Sequence, residues 1–159
     1  MSQQSSVSMT VNGEVVTQLV SVRTNLVDFL RNTLGLTGSH VGCEHGVCGA
    51  CTLAVDGTMV RGCLMLAVQA DGCDITTIEG FADDPRTESL RSAFEHNNAL
   101  QCGYCTPGMM ASALEYIEAG GSADRTAIRE HISGNYCRCT GYQSIVDAIV
   151  QTIEEGADT

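Results

Sequence analysis

Eight of the nine cysteines in this 159-residue chain fall into two sets of four, one in each half. The first set is Cys43, Cys48, Cys51 and Cys63; the second is Cys102, Cys105, Cys137 and Cys139. Neither set has the paired spacing usual in structural zinc sites, where two short pairs are separated by a longer loop. Four thiolates per site is the ligand count of a two-iron, two-sulfur cluster. Two such sets in one short chain point to a relay of electrons between redox centres that the chain does not itself contain.

The rest of the composition narrows the class. Hydrophobic residues make up 43% of the chain, so it is globular. With 19 acidic and 8 basic residues the net charge is −11, which argues against a nucleic-acid or anionic-membrane partner. The N-terminal run MSQQSSVSMTVNG has neither the basic region nor the apolar stretch of a signal peptide, and no apolar run is long enough to span a bilayer. These features predict a cytoplasmic protein whose cysteines bind metal rather than form disulfides. Export of a pre-folded complex, guided by a partner's signal, stays open.

Along the chain, residues 1–6 are polar and are expected to fray. VSMTV and EVVTQLV read as strands of a hairpin turning at Asn12-Gly13, the preferred pair for a type I′ turn. Thr24 is the predicted cap of a helix carrying Leu26, Val27, Leu30 and Leu34, with Gly35 ending it. A glycine-rich loop over 40–51 precedes a second hairpin turning at Asp56-Gly57, and Asp74–Ile78 closes a small β-rich half. EGFADDPRTES is the expected linker, with the acidic pair Asp83-Asp84 solvated in it. Helices are then predicted over 87–98, 107–119, 124–133 and 143–154, with Thr106 capping the second and Asp124 or Ser122 the third. Four short helices joined by short loops predict a bundle.

The first thiol set has four residues between Cys43 and Cys48 and two between Cys48 and Cys51, the plant-type ferredoxin spacing. Such a wrap needs glycines, so that backbone N–H groups can face the sulfurs. Cys63 is preferred to Cys73 as the fourth ligand, because the hairpin returns it beside the loop while Cys73 lies between two acids that disfavour a thiolate. His45 sits inside the loop, but four cysteines already fill the site. Zinc is the alternative metal for this set. In the second set, Cys102-Cys105 and Cys137-Cys139 both lie in loops leading into predicted helices, whose N-termini favour thiolates. A CxxC pair alone could be redox-active in the thioredoxin manner, but no strand precedes this one. The pair Met109-Met110 is expected to pack in the bundle, and His96 and His131 to serve as surface or packing residues.

Taken in order, VGCEHGVCGACTLAVDG, RGC, ALQCGYCTPGMM and SGNYCRCTGY resemble the small iron–sulfur subunit of the molybdenum hydroxylases, the family of xanthine dehydrogenase, aldehyde oxidoreductase and carbon monoxide dehydrogenase. The resemblance runs from about Met9 to Ile153. It implies an α+β chain: an N-terminal plant-ferredoxin-like β-grasp domain over 1–79, then a C-terminal four-helix bundle over 80–159, each binding one [2Fe–2S] cluster. It implies Cys43, Cys48, Cys51 and Cys63 as ligands of the first cluster, and Cys102, Cys105, Cys137 and Cys139 as ligands of the second. It also implies a large partner subunit with a molybdenum–pterin cofactor and a medium subunit with FAD, in a heterotrimer whose dimerisation stays open. Gln101 and Cys139 would lie near the pterin, and electrons would pass from molybdenum through the bundle cluster, then the ferredoxin-like cluster, to FAD. No substrate-turnover site is expected in this chain. The substrate (carbon monoxide, an aldehyde, a purine, an N-heterocycle or an aromatic thioester) is not legible here. A free-standing two-cluster ferredoxin and a structural zinc protein are the competing readings.

Overall fold

The structure is a computed structural model that describes residues 3–82 and 84–157. Strands β1 (Gln4–Val11) and β2 (Glu14–Ser21) form an antiparallel hairpin, as do β3 (Thr52–Val55) and β4 (Thr58–Arg61). β5 (Asp74–Thr76) joins the two hairpins, parallel to β1 and antiparallel to β3, in a mixed sheet of order β2-β1-β5-β3-β4. Both turns are as predicted: Asn12 and Gly13 have φ of 50° and 83°, and Asp56 and Gly57 have 49° and 77°. Those paired positive angles match the twist of the strands they join. Residues 4–6 are not frayed, because they pair in register with Leu19, Val20 and Ser21 of β2.

The inward side chains Val7, Met9 and Val11 follow the two-residue period of β1 and pack on the helix that crosses the sheet. That helix begins as α1 (Leu26–Asp28) and widens into a π-helical turn over Phe29–Thr33, where Leu34 N–H bonds to the Phe29 carbonyl. Leu26, Val27, Phe29 and Leu30 are fully buried. The cap is Asn25 rather than Thr24: its side chain accepts from Asp28 N–H at 2.8 Å. The Thr24 carbonyl accepts from Ala67 N–H at 2.9 Å.

β5 stops short of Ile78. Thr77 exchanges two hydrogen bonds with the Asn12 side chain, at 2.9 and 3.0 Å, and the chain turns there into α2 (Ile78–Phe81). The expected linker is therefore largely helical. Asp84 caps α3 (Pro85–His96) by accepting from Arg86 N–H at 2.8 Å; its expected companion Asp83 lies outside the described residues. Glu79 ties α2 back to the first half, accepting from Gly38 N–H at 2.7 Å and the Thr77 hydroxyl at 2.6 Å.

Burial pushes the Glu79 carboxyl up, but those hydrogen bonds and the nearby Arg31 hold it below its ordinary 4.5. Glu79→Ala is expected to cost about 1–3 kcal/mol at neutral pH, the usual loss for hydrogen bonds to a charged group. A depressed carboxyl contributes its stability above the unfolded value of 4.5 and loses it as pH falls through the folded value. Denaturant unfolding of the two proteins should therefore converge in acid; a constant gap down to low pH would contradict this.

The second half is built from α3, α4 (Thr106–Glu118), α5 (Arg125–His131) and α6 (Gln143–Ala157) around Leu90, Phe94, Met109, Leu114, Ile128 and Ile149. Met109 and Met110 are buried here, as expected. Asp124 is the cap of α5, accepting from Thr126 and Ala127 N–H groups. α4 begins at Thr106 with Cys105 in the cap position, so Thr106 is not the cap; its hydroxyl is buried without a protein partner. Among the described residues no helix is long and apolar enough to cross a membrane.

Candidate metal centres

The first thiol loop wraps tightly because its backbone enters the left-handed region at Glu44, Gly46 and Gly49, with φ of 57°, 83° and 74°. The wrap turns amides onto sulfur. Cys48 N–H lies 3.3 Å from Cys43 Sγ, and the amides of His45 and Cys48 pull the Cys43 thiol down to about 6. The Cys48 side chain also lowers it. The β3–β4 hairpin then returns the chain as predicted: Gly62 N–H meets the Cys51 carbonyl at 3.1 Å, and the Cys63 side chain reaches that of Cys51. Cys51 is buried, and that burial, with the adjoining Cys63, pushes its thiol up to about 11.

Cys73 has acids rather than another thiol beside it. Its thiol is raised by burial and by the Asp56 carboxylate, and it packs against the first core.

The second set closes on itself. Cys102 and Cys139 sulfurs lie 3.6 Å apart, and Cys105 is in side-chain contact with Cys137. Burial, then Cys137, pushes Cys105 up to about 12. Cys137 goes the other way: burial would raise it, but the Thr140 hydroxyl at 3.1 Å and amide at 3.4 Å prevail and lower it. Cys139 is raised; the Cys102 backbone pulls it down, but the neighbouring Cys102 thiol and burial outweigh that. Gln101 donates from Nε2 to the Cys139 carbonyl at 3.1 Å, so the two residues expected to share a contact sit together, exposed, at one edge of the set.

Among the described residues no three His, Cys, Asp or Glu side chains close on a single ion. The thiols are instead spread as neighbouring pairs: Cys43 with Cys48, Cys51 with Cys63, Cys102 with Cys139, and Cys105 with Cys137. Two thiols in each of two pairs would supply the four thiolate ligands that a two-iron cluster takes. The unpartnered Thr106 hydroxyl beside Cys105, and the N–H groups aimed at Cys43 and Cys137, offer donors to an anionic cluster. The two sets face each other across a cleft of about 150 Å³ lined by Cys48 from one and all four cysteines of the other.

Several residues here carry no signal from pattern alone. His40 stacks on Tyr104 with ring centroids 4.6 Å apart, and the Tyr104 hydroxyl donates to the Val41 carbonyl at 2.8 Å, tying one thiol loop to the other. Thr140 was findable, since it directly follows the CRC run. His131 bonds to the Ser112 carbonyl and packs on Tyr116, a packing role as expected.

Two family models match consecutive parts of the chain: a 2Fe-2S iron-sulfur cluster binding domain over 9–74 and a [2Fe-2S] binding domain over 77–150. The chain is 53% identical over 148 residues to caffeine dehydrogenase subunit gamma of Pseudomonas sp. (strain CBB1), covering 90% of this chain and 87% of that one. It is 49% identical over 144 residues to the nicotine 6-hydroxylase small subunit of Paenarthrobacter nicotinovorans, covering 91% of this chain and 87% of the other. The structure superposes on quinoline 2-oxidoreductase from Pseudomonas putida 86 with a TM-score of 0.91 at 45% identity, covering 99% of this chain and 98% of that chain.

A ferredoxin-like domain followed by a helical domain, each of [2Fe–2S]-binding type, defines an electron-transfer protein. The chain belongs to the small iron–sulfur subunits of the molybdenum hydroxylases. It is the electron-transfer subunit of a multi-subunit oxidoreductase with a large catalytic partner.

Proposed function

We propose that Cys43, Cys48, Cys51 and Cys63 hold one [2Fe–2S] cluster and that Cys102, Cys105, Cys137 and Cys139 hold the other, with the domain boundary between residues 79 and 80. The observation that carries this reading is the pairing of the sulfurs within each set, and the absence of Cys73 from either. When bound, each cluster supplies a one-electron redox step, which lets a two-electron oxidation be discharged one electron at a time. The chain's own residues place these centres and tune them: amides at Cys43 and the Thr140 hydroxyl and amide at Cys137 stabilise negative sulfur.

The relay runs from the molybdenum–pterin of the large subunit, through the helical-domain set and the ferredoxin-like set, to FAD in a medium subunit. The complex is a heterotrimer in the cytoplasm. In keeping with two partners, Cys139, Cys102 and Gln101 are exposed beside Leu100 and Tyr136, an apolar rim suited to one of them. At the other loop, Val47 and Leu64 are 45% and 64% exposed and offer a separate apolar rim. Gln101 and Cys139 form the edge that meets the pterin. The named relatives take caffeine, nicotine and quinoline, all nitrogen heterocycles, and we assign the same substrate class to this complex.

Freeze-quench EPR of the purified complex with substrate tests the order. The helical-domain signal should appear before the ferredoxin-like one, and Cys139→Ser should alter the helical-domain signal alone and slow its reduction by substrate. Both signals unchanged in that variant, or the reverse order in the parent, would defeat the reading.

A further inference from the structure

A buried amide lies where the two halves meet. Asn135 is 2% exposed, and its Nδ2 donates to the carbonyls of Gly108 at 2.9 Å and Gly49 at 3.2 Å. Its Oδ1 accepts from the Ser112 hydroxyl at 2.9 Å and the Arg61 guanidinium at 3.3 Å. Arg61 also donates to the Gly134 carbonyl at 3.0 Å and to the Thr52 hydroxyl. Donor and acceptor of the Asn135 side chain are thus both satisfied away from water.

What matters is where these partners lie. Gly49 is between Cys48 and Cys51, and Arg61 is two residues before Cys63; Gly108 is three residues after Cys105, and Asn135 two before Cys137. One side chain therefore touches segments carrying thiols of both sets. The next residue completes the link: Tyr136 N–H donates to the Cys48 carbonyl at 2.8 Å, and Tyr136 is bonded directly to Cys137. A β-carbon at Gly49 would come closer than 3.0 Å to the Gly134 carbonyl, and one at Gly108 would do the same to the Gly49 carbonyl, so the backbones here are in direct contact.

We infer that Asn135, clamped by Arg61, is a positioning residue that holds the Cys48–Tyr136–Cys137 bridge as the route by which electrons cross between the two centres. This rests on the ligand sets proposed above. The transfer is a single electron: one centre is oxidised as the other is reduced, no bond forms or breaks, and no proton moves. A satisfied buried polar network selects one geometry where an apolar seam would tolerate several. Such a single geometry is what a bridge through one 2.8 Å hydrogen bond needs.

The test uses the assembled complex carrying Asn135→Ala, with Arg61→Lys as a milder variant that keeps the charge and loses the planar fork. Two quantities are read: the spin–spin splitting in the EPR spectrum of the fully reduced complex, and the rate at which a pulse-delivered electron equilibrates between the clusters. Both variants should keep about four iron per chain and the individual cluster signals. In both, the splitting should shrink, and the rate should fall about tenfold, the scale of a small misplacement of reacting centres. Unchanged splitting and rate with iron retained would overturn the inference. Loss of iron from either set in both variants would also overturn it, since the residues would then serve cluster assembly. A parent complex without iron would sink the ligand reading instead.

Discussion

A Cys105→Ala variant is expected to bind about two iron atoms per chain where the parent binds about four, and to lose the helical-domain cluster signal alone. Cys105 is tied to the rest of its set. It occupies the cap position of α4, it touches Cys137, and it feels the charge of Cys102. Burial holds its thiol up to about 12, so without a cation beside it the sulfur stays protonated. Alanine supplies no ligand, and the remaining three sulfurs belong to two different pairs. By analogy with structural metal sites, the helical half would lose binding free energy on the order of 10 kcal/mol. The ferredoxin-like half has its own core of Val7, Phe29, Leu30, Leu53 and Ile75, so its signal should persist. Iron analysis with EPR checks both halves at once. Retention of both signals would remove Cys105 from the ligand set, and loss of both would show that the halves do not load independently.

The second large effect involves no ligand. Gly108→Ala is expected to destabilise the chain by about 3 kcal/mol, the upper end of overpacking costs. On helix propensity alone the change should help by about 1 kcal/mol, since Gly108 lies inside α4. Packing decides the sign. A β-carbon there would lie closer than 3.0 Å to the Gly49 carbonyl and 3.2 Å from the Ala50 backbone, and neither is a flexible side-chain end that can swing away. Gly120→Ala is the control: nothing lies within 4 Å of its β-carbon, and only its φ of 74° is strained, at a cost of about 1 kcal/mol. Equal losses for the two variants in denaturant unfolding would show that the halves do not meet backbone to backbone.

Sequence carried the local features well. Asn12-Gly13 and Asp56-Gly57 marked both hairpin turns, and the spacing of the thiols marked both loops. The preference for Cys63 over Cys73 rests on a local feature, the hairpin between Cys51 and Cys63. Legibility ended where distant segments decide the outcome. Thr24 and Asn25 are adjacent residues of capping type; Asn25 is the cap, while the Thr24 carbonyl is taken by a distant N–H, from Ala67. The polar stretch after Thr77 looked like a linker, yet Asp84 caps a helix within it, and Asn12 sets where β5 ends. The knot of Arg61 and Asn135 joins residues 74 positions apart and follows no periodicity. An arginine in a β-hairpin and an asparagine after a helix carry no pattern that links them until the fold brings them together.

Iron, acid-labile sulfide and zinc, measured on the purified complex and normalised to this chain, test the central claim most directly. Two clusters held by the two thiol sets predict about four iron and about four sulfide per chain, with no stoichiometric zinc. Zinc in place of iron, or about two iron with the second set of thiols free to alkylation, would contradict it.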